Sequence, residues 1–505
     1  MRPIRDIISA PGAKGAIEAA APTQQVDIPR LNLDKIEVEK KAALSSSDEA
    51  EHVENVTNWV EKPKARRLDR GLDWVVRASG SQPVFFFILA GILTWALLGI
   101  PYGETDDWAV LISDIQAIIS YIFDSFLMRQ LLNAYESSIR VSANLLSRNE
   151  SNKRMLRTAL GSGRFTKPSG DWEQRATIYR DFAADLPREN LVGRMTTRVS
   201  LVFGHIGTLC FYWAGIFVWI GFGQYSGWSD TWQLYINSAT SALMVLIFAF
   251  LAYVRERHNV YITACLQHIF KVDSAVELKL RNMTGDDIPN PTIVVPAPKM
   301  NRIQRAIFYY ADLVGTLTGI VILLIVLIVW ICIGPAMGFS SNWWLLIGTY
   351  AGLVGLHDGF VLRNVQAKFN NYEDNAVDNV NLSDKAIFED LSLPDPANAH
   401  VQDKSLTYRI SKRMGAICSH EYTVIAGVVL IIGLIVGASA QRWSLTGQLL
   451  CNVPPSLIES FFMMILITGH NIAESKRRVE YHNVYLRRMK LLAYVEALDG
   501  AAKTA

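Results

Sequence analysis

Eight apolar blocks of roughly 20 residues each constrain this chain more than any other feature, because a block of that length matches the hydrocarbon thickness of a bilayer. They lie near 83–101, 109–131, 201–222, 233–254, 311–335, 343–363, 422–440 and 448–470. Half of the 505 residues are hydrophobic, and they gather in these blocks instead of spreading at the periodicity of a soluble protein. The expected fold is all-α: a polytopic membrane protein with about eight transmembrane helices arranged as four repeated hairpins.

The hairpins are expected at 83–131, 199–254, 309–363 and 421–471, with a tail at 1–82, polar connections at 132–198, 255–308 and 364–420, and a second tail at 472–505. The long connections hold nearly all the Lys and Arg, whereas the short turns are almost free of them, with only Arg442 in the fourth. The positive-inside rule then puts both termini and the long connections in the cytoplasm. The first thirty residues have no continuous apolar core, so no cleavable signal peptide is expected. Five scattered cysteines give neither a disulfide framework nor a zinc knuckle. A net charge of +2 says little about partners; the bilayer is the expected one, nucleic acid is not, and homo-oligomerisation is left open. No nucleophile–base pair, metal-protease motif or P-loop is present, so an enzyme is not expected.

Internal repetition is visible by counting. Trp95 and Trp108, Trp219 and Trp232, and Trp330 and Trp343 are each 13 apart, and Trp443 stands at the fourth turn. Sixteen residues beyond Trp108 is Asp124, 15 beyond Trp343 is Asp358, and 16 beyond Trp443 is Glu459. Each acid is followed by a small residue and Phe; the same count from Trp232 lands on Phe248, so the second repeat has lost its acid. The tryptophans alone read as an interfacial aromatic belt, but their spacing to the acids asks for more.

The first helix of each hairpin carries no charge in its apolar core, whereas the second helices hold Asp114, Gln116, Asp124, Asn237, Thr349, His357, Asp358, Asn452 and Glu459. An ionised Asp costs roughly 2.5–3.5 kcal/mol at the middle of a lipid-facing helix, so these acids should face protein, water or a cation. Asp124, Asp358 and Glu459 then form a candidate ring roughly 24 Å from the outer tryptophans, with Asp114 about 15 Å nearer the outside. The bland reading has each acid pair with a basic residue or snorkel toward the cytoplasm; Arg129 and Arg363 follow two of them by five residues, which turns a helix by about 140° and leaves pairing only between neighbouring helices. Pro454 and Pro455 should break the last helix and free the carbonyls of Leu450 and Cys451 beside Asn452. His205, His258, His420 and His470 are expected at a solvated surface, and Gly348–Gly352 and Gly433–Gly437 at close helix contacts.

Oxygen ligands with an imidazole suit ferrous iron, manganese or zinc better than cuprous copper. The candidate metal ligands are therefore Asp124, Asp358, Glu459, Asp114, His357, Asn452 and Asn237, with acids at the outer turns (Glu104, Asp106, Asp107, Asp230) concentrating cations. No permanently bound cofactor is expected. A cation channel or proton-coupled carrier using the same carboxylates, and a non-transporting scaffold, are the competing readings.

Gly227-Trp228-Ser229-Asp230-Thr231-Trp232-Gln233-Leu234 followed by Asn237 resembles the outer-turn motif of the fungal low-affinity iron permease family, and Asp124-Ser125-Phe126-Leu127-Met128-Arg129-Gln130 resembles its first repeat. Ala10-Pro11-Gly12-Ala13-Lys14 is similar to the family's amino terminus. The resemblance covers essentially the whole chain. It implies plasma-membrane uptake of ferrous iron, with zinc and copper as further substrates.

Overall fold

The computed structural model describes residues 14–24, 64, 66–103, 105–163, 165, 168, 185–397 and 406–504. The described chain runs four times through one order of elements: a short amphipathic helix, a break, an apolar helix, a turn and a helix of about 50 residues. The short helices are α1 (Arg67–Ser79), α4 (Leu191–Phe203), α7 (Arg302–Val314) and α10 (Leu406–Cys418). The apolar helices are α2 (Gln82–Tyr102), α5 (Ile206–Gly223), α8 (Leu317–Ile333) and α11 (Glu421–Ala440). The long helices are α3 (Asp106–Gly161), α6 (Asp230–Thr284), α9 (Ser341–Leu391) and, after the six-residue α12 (Leu445–Leu450), α13 (Val453–Thr504).

Among the described residues seven helices are long and apolar enough to cross a membrane, and the pair α7–α8, bent by 64°, makes eight if it is counted as one span. The protein is thus an all-α, multi-pass membrane protein. α2, with no buried residue, and its counterparts α5, α8 and α11 are apolar almost all round, as lipid-facing helices are. The long helices form the centre. α3 packs on α6 and α9, and α13 packs on the same two, which sets α3 opposite α13 across a four-helix bundle.

At about 1.5 Å per residue a 56-residue helix is roughly 84 Å long, more than twice the hydrocarbon thickness. The polar connections expected after 131, 254 and 363 therefore begin as direct continuations of α3, α6 and α9. One apolar cluster around Leu127, Phe248 and Leu362 fills the bundle at the level of the apolar blocks, and another around Leu145, Ile269 and Tyr485 fills its polar extension. A two-stranded antiparallel sheet, β1 (Ile17–Ala19) with β2 (Ile293–Val295), lies against α3.

In three hairpins the tryptophans 13 apart stack face to face across the turn, with ring centroids 4.5, 3.8 and 4.2 Å apart. Trp330 and Trp343 also exchange hydrogen bonds, each indole N–H donating to the other's carbonyl at 3.0 and 2.7 Å. These residues clasp the two helices of a hairpin together. Trp443 belongs elsewhere: its φ of 55° and its N–H bond to Ala438 match Trp228 and Phe339, which bond back to Gly223 and Gly334 in the same left-handed turn. The count of 16 from Trp443 to Glu459 therefore starts from a turn residue, not from the equivalent of Trp232.

Two of the breaks before the apolar helices need a residue without a side chain. A Cβ at Gly80 would lie 2.7 Å from the Ala252 carbonyl oxygen of α6, and one at Gly204 would lie 3.1 Å from Thr468 Cα of α13. Gly433 has nothing within 4 Å of such a Cβ, so the close contact expected there is absent; Gly437 does meet Leu450.

Candidate functional site

The charged residues expected inside the membrane lie inside the bundle. Asp124 on α3, Asp358 on α9 and Glu459 on α13 are each fully buried. Both oxygens of Asp124 and both of Glu459 lack a hydrogen-bond partner, as does Asp358 Oδ2. Each lies within electrostatic range of at least one other. Phe248, the fourth position, is also fully buried and packs on Phe123. Among the described residues no three His, Cys, Asp or Glu side chains converge closely enough to chelate an ion, so the three acids are neighbours inside the bundle without forming a closed ligand set.

Among the described residues no basic side chain pairs with these acids. Arg129 turns to α1, where its Nε donates to Asp73 at 2.6 Å and its Nη2 to Asp69 at 3.2 Å. Burial alone would raise the Asp73 pKa, but hydrogen bonds from Arg129 and Asn133 and the charge of Lys64 hold it below the usual carboxylate range. Arg363 donates to Gln366 and to the Gly415 carbonyl. The bland reading of paired acids therefore fails for all three. Such groups cost several kcal/mol each when ionised and unpaired, unless a cation or water joins them.

Glycines on α9 let α13 approach. A Cβ at Gly355 would lie 2.6 Å from Glu459 Oε1, and one at Gly348 would lie 2.8 Å from Asn452 Nδ2. Pro454 and Pro455 sit in the first turn of α13, where their missing amide hydrogens are not needed, and the helix breaks at Cys451–Asn452. The Cys451 thiol donates to the Leu434 carbonyl of α11.

Toward the turns, polar side chains bridge the helices. Asn237 Nδ2 donates to Ser113 Oγ at 2.8 Å, Ser241 reaches Ser113 and Gln116, and Thr240 meets Ser456. Asn237 is tied into this network through its amino group, while its carbonyl oxygen is buried and unpartnered. Asp114 lies beside Ser113 on the same helix and is almost buried. Glu104 lies outside the described residues, as do the side chains of Asp106 and Asp107; Asp230 accepts from Thr446.

Sequence reasoning missed Tyr310. It stands on α7, yet its hydroxyl donates to Asp358 Oδ1 at 2.7 Å, and its ring meets His357 edge-on with centroids 4.5 Å apart. His357 Nδ1 is buried without a partner. Only the register of Tyr310 on the inner face of an amphipathic helix could have signalled this. Tyr310→Phe keeps the ring and removes the one hydrogen bond that orients Asp358. A hydrogen bond to a charged group is worth about 1.5–3 kcal/mol, so the detergent-solubilised variant is expected to lose stability of that order in thermal unfolding. An unchanged unfolding midpoint would assign Tyr310 to packing alone.

Two of the four histidines expected in solvent are instead paired: His258 Nδ1 and His470 Nε2 are 2.8 Å apart, and the rings stack between α6 and α13. His205 and His420 are exposed as expected and cap α5 and α11.

The described family "Low affinity iron permease" matches residues 192–290 and 407–497. A low-affinity iron/zinc ion transport protein of Schizosaccharomyces pombe is 36% identical over 498 residues, covering 96% of this chain and 84% of its own. A low-affinity Fe(2+) transport protein of Saccharomyces cerevisiae is 35% identical over 458 residues, covering 85% of this chain and 83% of its own. No solved structure matches. With relatives this similar along nearly its whole length, the chain belongs to the low affinity iron permease family, whose members are transporters and not enzymes.

Proposed function

We propose that this protein carries ferrous iron across the plasma membrane at low affinity, with zinc as a second cargo, along a path lined by carboxylates of three of the four long helices. The observation that carries this reading is the set of three fully buried carboxylates, on three helices of one bundle, with no basic partner. The relatives' names supply the cargo: Fe(2+) in the Saccharomyces cerevisiae protein, and iron and zinc in the Schizosaccharomyces pombe protein. Asp114, Asn237 and Asn452 form the approach from the turn end, and Asp124, Asp358, Glu459 and His357 the inner station. The donors are oxygens with one imidazole, which favours ferrous iron and zinc over cuprous copper. An inside-negative potential drives a divalent ion inward with about 4.6 kcal/mol per 100 mV, at about 2.3 per charge, so no further energy source is required.

A scaffold whose acids only fix helix packing is less well supported, since of the three only Asp358 makes a hydrogen bond. Radioactive iron uptake into vesicles holding the purified protein tests the proposal. Uptake above empty vesicles that grows with an imposed inside-negative potential is expected; none at any potential would sink it. Loss of uptake on collapsing a proton gradient would identify a proton-coupled carrier.

The polar extension and both termini belong to the cytoplasm on this reading, because that end holds the basic residues. A cysteine placed at Thr105, an exposed cap at a turn, should react with an impermeant thiol reagent on intact cells. Labelling only after permeabilisation would reverse the orientation.

A further inference from the structure

Among the described residues α7 is the only short helix that hydrogen-bonds one of the three buried acids, through the Tyr310 hydroxyl on Asp358. Two residues further along, Asp312 pairs with Lys14 of the segment 14–24. The Lys14 ammonium also lies 5.6 Å from the ring centroid of Phe308, on α7, and 5.7 Å from that of Phe369, on α9. These two rings stack at 5.2 Å, and Tyr135 of α3 stacks on Phe369 at 4.3 Å. A carboxylate and two aromatic faces thus make a socket for the ammonium, whose side chain is only 14% exposed. Lysine gives up hydration and rotamer freedom to sit there, a cost that only a specific partner offsets.

The rest of the segment is fastened elsewhere. β1 pairs with β2, the strand that leads into α7, with Ile17 opposite Val295 and both side chains against the bundle core. The Ala21 amide donates to Ser147 Oγ of α3 at 3.1 Å, the Gln24 amide to Glu277 of α6 at 3.1 Å, and Asn290 Nδ2 to the Ala21 carbonyl at 3.2 Å. The segment is therefore a strap, anchored on α3 and α6, that holds α7 by its approach and by Asp312.

α7 is seated on a buried stripe of Gln304, Ile307, Phe308 and Ala311. Tyr310 and Asp312 are about 200° apart around the helix, so they flank that stripe on opposite sides. Apolar burial has no direction and resists a small roll of the helix weakly. Gln304 tethers the first turn to Asn364 at 2.6 Å, two turns before Asp312. At the far end the roll is set by the two flanking links, Asp312 to Lys14 and Tyr310 to Asp358, and loosening one loosens the other.

We propose that Lys14 and Asp312 are positioning residues: acting through Tyr310, they fix the roll of α7 and so hold Asp358 in the geometry that receives the cargo ion. This rests on the transport reading given above.

The test uses the full-length protein in vesicles, reads half-saturation for ferrous iron separately from maximal rate, and follows hydrogen exchange of the α7 amides. Lys14→Met and Asp312→Asn should each raise half-saturation about two- to fivefold, the range that a partly screened ion pair can transmit, with the maximal rate changed less. Their effects should not add, and neither should shift half-saturation further in Tyr310→Phe, which lacks the hydroxyl that carries them. Lys14→Arg keeps the charge and the ring contact and should restore the unaltered value. In Lys14→Met the α7 amides should exchange faster, and those of α4 at the unaltered rate. Unchanged half-saturation in Lys14→Met overturns the proposal. So does a shift that is equally large without the Tyr310 hydroxyl, or unchanged exchange in α7. No uptake by the unaltered protein would instead remove the transport reading, and exchange in α7 would then alone judge the strap.

Discussion

Asp124→Asn, Asp358→Asn and Glu459→Gln should each lower ferrous uptake at least about tenfold, while the variant proteins reach the surface normally and unfold at the same or a higher temperature. The scale follows from metal sites in general: losing a group that only supports a ligand costs 10–100-fold, and these carboxylates would face the ion directly. The sign of the stability change is the sharper discriminator. An amide keeps the shape of each side chain and removes an ionisable group that is buried without a basic partner, so folding should not suffer. Had the acids served only to hold helices together, the same changes would destabilise the bundle and spare uptake. Uptake of iron and zinc at unaltered rates in all three variants would remove the three acids from the pathway. Asp114→Asn, nearer the turns, should chiefly raise the iron concentration needed for half-maximal uptake. Phe248→Asp would add a fourth carboxylate to the set, and a changed preference between iron and zinc is expected from it.

How far these features were legible in the sequence depends on whether their cause is local. An acid in an apolar block is conspicuous because nothing nearby in the chain compensates it, so Asp124, Asp358 and Glu459 stood out without any contact being known. The tryptophan spacing was visible for the same reason, although its meaning, a stacked clasp across each turn, needed coordinates. Trp443 misled because the eye matches aromatic identity, whereas the structure matches the left-handed turn shared by Trp228 and Phe339. Tyr310 reaches Asp358 from another helix of its unit, and His258 meets His470 across 212 residues, so no local pattern announces either. The polar extension was hidden for a different reason. Its buried stripe contains Arg148, Asp273, Asp384 and Arg488, and a stripe with charges in it does not read as a core.

That charged core leads to the second large expected effect, which concerns stability. Arg148 is 1% exposed; its Nε donates to Glu277 at 2.8 Å and its Nη1 to Asp273 at 3.4 Å. Arg488 joins Asp273 to Asp384 at 2.9 Å each, so one network links α3, α6, α9 and α13. Glu277 also accepts from Arg281 and from the Gln24 backbone, and Arg148 reaches the Pro22 carbonyl, which fastens the segment 14–24 to the bundle. Removing one partner of a buried ion pair costs about 3–5 kcal/mol, because the remaining charge stays desolvated. Glu277 and Asp273 keep other cations, so Arg148→Met should cost about 3 kcal/mol, the lower end of that range. Arg148→Lys should recover only part, since a point charge cannot reach both carboxylates as the guanidinium fork does. The control is Arg157→Met, which breaks a pair with Asp390 whose side chains are 65% and 45% exposed; solvent screening limits its cost to about 0–1 kcal/mol. Thermal unfolding of the detergent-solubilised proteins measures both, and limited proteolysis should cut the segment 14–24 earlier in Arg148→Met alone. A midpoint for Arg148→Met no lower than that of Arg157→Met would show that the buried network contributes nothing beyond an exposed ion pair.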